Sequence, residues 1–325
     1  MTEFELIERF FTRAPRGRSV RLGVGDDAAL LAVTPGWELA ASVDMLVAGR
    51  HFFPDTDPQR LGHKTLAVNL SDMAAMGAVP RWALLAGALP HADASWLTAF
   101  ARGFLALADE HAVDLVGGDT TRGPLNLCVT ILGEVPAGHA LQRGGARVGD
   151  DVYVSGTLGE AALALLALGH RITLAPDALA QCRERLERPQ PRVALGLALR
   201  DVASAALDLS DGLVGDLAHI LERSGVGAEI ALAAIPRAPV LDAMLRGPER
   251  ELALRCLLAG GDDYELCFTA PVTAHDAIVE IAAVVALPLT RIGGITAGRQ
   301  LVIRDERGLP LPVLPQAFDH FVAAV

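Results

Sequence analysis

Apolar positions near the N-terminus recur at helical spacing. Phe4, Ile7, Phe10 and Phe11 share one face, and Thr2 with Glu5 forms a capping box, so the chain is predicted to open with a helix. The run from Glu38 to Val47, ELAASVDMLV, reads as a strand. Asp57-Pro58 then supplies an N-cap followed by proline at the first helical position. The helix it starts continues through LAVNLSDMAAMGA and stops near Gly77 and Pro80. RWALLAGALP reads as a strand, Asp93 caps a long helix to about His111, VDLVGGDTT is a short strand ending in a turn, and LNLCVTILGEV is a strong strand.

The composition changes between Val135 and Asp151, where glycine and turn signals accumulate, and a domain boundary is expected there. We divide the chain into residues 1–137 and 138–325. The second part restarts with VYVSGTLGEAALALLALG, a strand, a glycine turn and a helix. AALDLSDGLVGDLAHILERSG repeats that plan, and DYELCFTAP and LTRIGGI are further strands around a helix from about Thr273 to Ala286. Strands and helices alternate without a regular βαβ spacing, which predicts two α/β (α+β) domains.

Composition narrows the function classes. The chain has 325 residues, half of them apolar, and a formal net charge of −11. That balance argues against non-specific nucleic-acid binding. Lys64 is the only lysine among 28 basic residues, and it follows His63, so the chain has no Walker A loop. Cys128, Cys182, Cys256 and Cys267 form no C-x-x-C pair and read as buried free thiols in a reducing compartment. The acidic, amphipathic N-terminus is unlike a signal peptide, and no run approaches a membrane span. A soluble cytoplasmic protein is expected.

What remains is a recurring acidic turn. GVGDDA, ASVDML, NLSDMAAMG, VGGDTTRG and LDLSDGL place Asp26, Asp27, Asp44, Asp72, Asp119, Asp208 and Asp211 at strand ends or helix starts, beside glycine or a hydroxyl. Taken singly, Asp26 or Asp211 reads as a helix N-cap. Asp72, inside a helical pattern, and Asp119, behind two glycines, do not. Carboxylates gathered on apolar scaffolding need a cation, and oxygen-only ligands suit Mg²⁺ or Ca²⁺. Gly23-x-Gly25-x-x-Ala28 loosely matches a dinucleotide turn, but two aspartates there would repel a pyrophosphate unless metal lay between. Carboxylates without a phosphate-binding lysine suit metal-held nucleotide and phosphoryl transfer. His51, in AGRHFFP, reads by itself as a loop histidine.

Together GVGDDAAL, SVDMLVAGRHF, LAVNLSDMAAMGAVP, LVGGDTTRGPL, LDLSDGLVGDLAHIL and GGDDYELCFT resemble the thiamine-monophosphate kinase family, in the family's order and over nearly the whole chain. That family belongs to a larger group of aminoimidazole-ribonucleotide-synthetase-like ATP enzymes. The resemblance implies an N-terminal α/β domain that binds ATP and Mg²⁺ and pairs in a homodimer. It also implies a C-terminal α+β domain completing the site, with ATP between the domains. The implied reaction is direct in-line transfer of the γ-phosphoryl group from ATP to thiamine monophosphate. Carried over residue by residue, Asp27, Ser42, Asp44, Asp72, Asp119, Asp208 and Asp211 are implied Mg²⁺ ligands for several ions. Gly118, Asp119, Arg143 and Ser210 are implied ATP contacts, and His51, Asp262 and Phe318 thiamine monophosphate contacts. No general base is implied.

Three positions depart from the family pattern. Val43 replaces a second hydroxyl, Asp262 replaces a glutamate, and Ala101 falls about where an aromatic lies near adenine. Two alternatives follow. Another enzyme of the same group is one; selenophosphate synthetases need a reactive cysteine or selenocysteine near the N-terminus, whereas the first cysteine here is Cys128. A silent metal- and nucleotide-binding sensor is the other, and turnover separates it from a kinase.

Overall fold

The computed structural model describes residues 2–317. The chain divides into two compact units, with the boundary between Ala140 and Leu141 and the short stretch Ala74–Gly77 grouped with the second.

In the first unit, α1 (Glu3–Phe10) begins with the capping box read from the sequence: Thr2 and Glu5 each accept the other's backbone N–H. Its core-facing residues are Leu6 and Phe10, whereas Phe4 is 81% exposed. The expected apolar face is therefore split, because α1 buries one stripe and turns another toward a cavity described below. Two short strands, β1 (Val20–Leu22) and β2 (Leu30–Leu31), form a hairpin. Then come β3 (Trp37–Val47), α2 (Pro58–Ala75), β4 (Val79–Leu89), α3 (Ala94–Glu110), β5 (Asp114–Arg122) and β6 (Asn126–Pro136). Asp57 and Asp93 cap α2 and α3 as expected, Asp57 accepting the Arg60 N–H and Asp93 those of Ser95 and Trp96.

These strands form one sheet in the order β3-β6-β4-β5. β3 and β4 pair antiparallel with β6, and β5 lies parallel to β4 after the α3 crossover. Helix α2 lies on one sheet face: Met73 packs at Gly133, and Ser42 bonds Asp72. α2 meets α3 backbone to backbone. A Cβ on Gly62 would lie 2.1 Å from the Phe100 carbonyl oxygen, and one on Gly103 would lie 1.8 Å from that of Gln59. Phe100, Phe104, Leu66, Leu70 and Met73 are fully buried there. The other sheet face is covered over β4 and β5 by the hairpin, whose Val20, Ala29 and Leu31 pack with Trp82, Leu84, Val116 and Leu132. Over β3, no described residue covers it: Leu39, Val43 and Met45 are each half exposed or more.

The second unit comprises β7 (Asp151–Ser155), α4 (Glu160–Leu168), α5 (Pro176–Glu187), α6 (Val193–Leu199), β8 (Ala205–Asp208), α7 (Leu213–Ser224), β9 (Gly227–Ala231), α8 (Pro239–Leu245), α9 (Arg250–Ala259), β10 (Leu266–Ala270), α10 (His275–Val284), β11 (Leu289–Thr296) and β12 (Leu301–Arg304). Its sheet runs β12-β9-β11-β7-β10-β8, antiparallel except for β9 with β12. β7, β8 and β10 are buried at every position, so they read as apolar runs without alternation. One large core joins them to α4, α7 and α9 through Val154, Leu163, Leu207, Leu217, Leu257 and Cys267.

Candidate active site

The acidic turns take shapes that the sequence only partly anticipates. GVGDDA is the loop of the β1–β2 hairpin, with Gly25 at φ +117°, and no helix follows it. Asp26 is therefore no N-cap. Its Oδ1 accepts the Asp27 N–H at 2.9 Å, which folds one carboxylate onto the loop's own backbone. Asp119 also moves from its expected place. β5 does not end before the two glycines but continues through them to Arg122. A Cβ on Gly118, at φ +152°, would lie 1.8 Å from the Leu85 carbonyl oxygen, so only glycine lets β5 lie this close to β4.

Register then brings distant residues together. Asp119 lies opposite Ala86, Ala86 opposite Cys128, and Cys128 opposite Met45, one row across the sheet. This row borders a cavity of about 750 Å³ in the first unit. Asp26, Asp27, Gly118 and Asp119 line its polar side, and Phe4, Ile7 and Phe11 line its apolar side. Exposed carboxylates against an apolar wall make a site able to hold a phosphate-bearing ligand by its charge and an aromatic ligand by its ring, once cations offset the carboxylates.

Ser42, Asp44 and Asp72 gather on the α2 side of the same sheet. The Ser42 hydroxyl donates to Asp72 Oδ2 at 2.5 Å, and the Asp44 N–H donates to Asn69 Oδ1 at 3.1 Å. Val43 alternates to the other face, so a hydroxyl there would point away from Ser42 and Asp72. Ala101 is buried within α3. Among the described residues, no group of three or more His, Cys, Asp or Glu side chains is assembled to hold a metal. His51 closes a turn at the end of β3. Its Nδ1 accepts the Val47 N–H at 3.0 Å, which leaves Nε2 as the protonated nitrogen. The buried Lys64 reaches the His51 carbonyl at 3.5 Å.

In the second unit Asp208 ends β8, and Ser210 and Asp211 follow in the turn before α7. Asp211 is not the cap of α7. Asp216 reaches back from the first turn, and its Oδ2 accepts the N–H groups of Asp211 and Gly212, each at 3.0 Å. Burial pushes the Asp216 carboxyl up to about 7, against its backbone hydrogen bonds and with the charges of Asp211 and Asp208 adding. Its place four residues after Gly212 was the available signal. Arg143 lies in the exposed loop before β7, where the Ser224 hydroxyl holds its carbonyl. Asp262 sits in a left-handed conformation that delays β10 until Leu266. Phe318 lies outside the described residues.

Family models match both units: AIR synthase related protein, N-terminal domain, over residues 25–135, and the corresponding C-terminal domain over 147–306. The chain is thus a two-domain α/β protein of the AIR-synthase-related class. It is 47% identical over 322 residues to the thiamine-monophosphate kinase of Escherichia coli strain K12, covering 98% of each chain. The thiamine-monophosphate kinase of Stenotrophomonas maltophilia K279a superimposes with a TM-score of 0.86 at 47% identity, over 93% of this chain and 96% of that one. A structure of AaThiL complexed with AMPPCP and TMP gives 0.77 at 29% identity, with 89% of each chain covered. The chain belongs to the thiamine-monophosphate kinase family.

Proposed function

We propose that this chain transfers the γ-phosphoryl group of ATP to thiamine monophosphate, giving ADP and thiamine diphosphate. The observation that carries the reading is the cavity on which Asp27 and Asp119 converge. It offers exposed carboxylates, a backbone bared by Gly118 and an apolar wall, and no lysine lines it. The family's kinases and the AaThiL complex with AMPPCP and TMP support the same chemistry.

Magnesium fits the donor set, which is all oxygen. Mg²⁺ commonly takes one or two protein carboxylates and completes its shell with water and phosphate oxygens, so a preassembled cage is not required. Asp27, Ser42, Asp44, Asp72 and Asp119 in the first unit, and Asp208 and Asp211 in the second, would hold several ions. The ions would neutralise charge on the phosphate oxygens. Gly118, Asp119, Arg143 and Ser210 serve ATP; Arg143 adds a planar cationic fork suited to phosphate. His51 and the Asp262 carboxylate serve thiamine monophosphate, Asp262 through the cationic thiazolium. The acceptor is a phosphate monoester, largely ionised at neutral pH, so proton removal requires no side chain.

The uncovered face over β3 supports a homodimer: Leu39, Val43 and Met45 form an apolar strip on an edge strand. Four free cysteines support a reducing compartment, the cytoplasm. Among the described residues no helix is long and apolar enough to cross a membrane.

Phosphorus NMR of the protein with ATP, Mg²⁺ and thiamine monophosphate tests the reading, with free thiamine and metal-free samples as controls. Metal-dependent appearance of ADP and thiamine diphosphate, with free thiamine inert, is expected. ATP consumed without thiamine diphosphate would move the acceptor assignment elsewhere.

A further inference from the structure

The segment from Gly260 to Glu265 stores backbone strain in the second unit. Asp262 at φ +68° and Tyr264 at φ +49° are both left-handed without being glycine, two positions apart. Such residues persist only where their surroundings over-determine them, and here the surroundings do. The Asp262 N–H donates to the Ser210 carbonyl at 2.9 Å, and the Tyr264 N–H to the Leu209 carbonyl at 2.8 Å. The Leu209 N–H returns to the Glu265 carbonyl at 2.8 Å. Between the two strained residues, Asp263 turns the other way, and both its oxygens accept the Gly159 N–H, at 2.9 and 3.0 Å. Arg192 and the Ser155 hydroxyl hold Glu265 at the end of the segment. The ladder ties the strained segment to the Leu209–Asp211 turn.

Alternating left-handed residues also decide where the side chains meet. The Tyr264 hydroxyl donates to Asp262 Oδ1 at 3.1 Å, and Tyr264 is itself buried. A buried ring with a hydroxyl on one oxygen of a carboxylate restricts rotation of that carboxylate and directs its second oxygen.

We propose that Tyr264 is a positioning residue for the acceptor site: it aims the Asp262 carboxylate and so sets the preference for a cationic acceptor. This rests on the reading of Asp262 as the carboxylate facing the thiazolium. Tyr264 acts through Asp262 and touches no reacting atom.

The test is steady-state kinetics with ATP saturating and thiamine monophosphate varied, for the wild type, Tyr264→Phe, Asp262→Asn and the double variant. Tyr264→Phe is expected to raise the KM for thiamine monophosphate about tenfold, with kcat and the KM for ATP within about twofold of wild type. In the Asp262→Asn background it is expected to add nothing. Additive effects of the two substitutions, or a KM for ATP that rises in parallel, would overturn the inference. Should Tyr264→Phe not fold, Tyr264→Met gives a second reading. It also removes the hydroxyl from Asp262 Oδ1, so its KM for thiamine monophosphate is expected to rise likewise; a wild-type KM overturns the inference. Failure of the underlying readings is visible separately. Wild type inert toward thiamine monophosphate removes the function, and wild-type turnover with an indifferent Asp262→Asn removes the Asp262 assignment.

Discussion

Asp26 and Asp27 are adjacent in the chain yet differ in their bonding, because Asp26 accepts the amide of its neighbour. Asp26, Asp27 and Asp119 all line the cavity, and Asp26 is the one tied to the loop's own backbone. Replacing Asp119 by Asn keeps the shape and removes the charge. We expect kcat/KM to fall by at least about 100-fold while the thermal melt is unchanged. Near-normal turnover in the folded variant would remove Asp119 from the metal set.

Asp263 gives a pH prediction at the same scale. Burial, with the charges of Glu265, Glu160 and Asp262 adding, holds its carboxyl well above the usual range, although the Gly159 N–H opposes the shift. A carboxyl raised in the folded state contributes stability that is complete below its unfolded pKa of about 4. That contribution is lost as pH rises toward the raised value. Asp263→Asn removes the titration and keeps an acceptor for Gly159. The melting temperature of the variant minus that of wild type is therefore expected to grow as pH rises above about 4. A difference that is flat or shrinks with pH would contradict the assignment.

Elements in the first unit are placed by glycine as much as by apolar side chains. Gly62 and Gly103 let α2 and α3 touch backbone to backbone, and α2 in turn positions Asp72 against Ser42. Gly103→Ala puts a methyl group where the Gln59 carbonyl lies. We expect a loss of about 2–3 kcal/mol in urea unfolding, because neither backbone can yield without moving its helix. A variant as stable as wild type would show that α2 and α3 can part at this crossing without cost. Neither glycine interrupts a helix in the sequence pattern, so α2 and α3 were legible from their caps and periodicity, but their closeness was not.

At the scale of the whole molecule, the uncovered β3 strip carries the prediction of a dimer. Light scattering at micromolar concentration is expected to report two chains. Val43→Glu and Met45→Glu together are expected to give a monomer with unchanged helical circular dichroism, since charges on that face need not enter either core. Wild type that is already monomeric, or a dimer indifferent to both charges, would place the contact elsewhere.

Several features were decided by short-range physics and could be read directly. Thr2 with Glu5, Asp57 before Pro58, and Asp93 signal their helices through groups within four residues. The apolar runs of β6 and β7 needed only their own side chains, and six acidic motifs in order carried the family. Other features depended on contacts between residues far apart in sequence. Asp119 falls inside a strand rather than a turn because Gly118 lets β5 pack on the Leu85 carbonyl. Asp211 yields the capping role to Asp216, and Asp262 and Tyr264 adopt left-handed backbone because the Leu209–Asp211 segment holds them there. The sequence by itself determined which carboxylates exist, which elements carry them and which family they mark. Register and close backbone packing decided which carboxylates share a cavity, because side-chain direction in a sheet depends on pairing partners that local sequence does not contain.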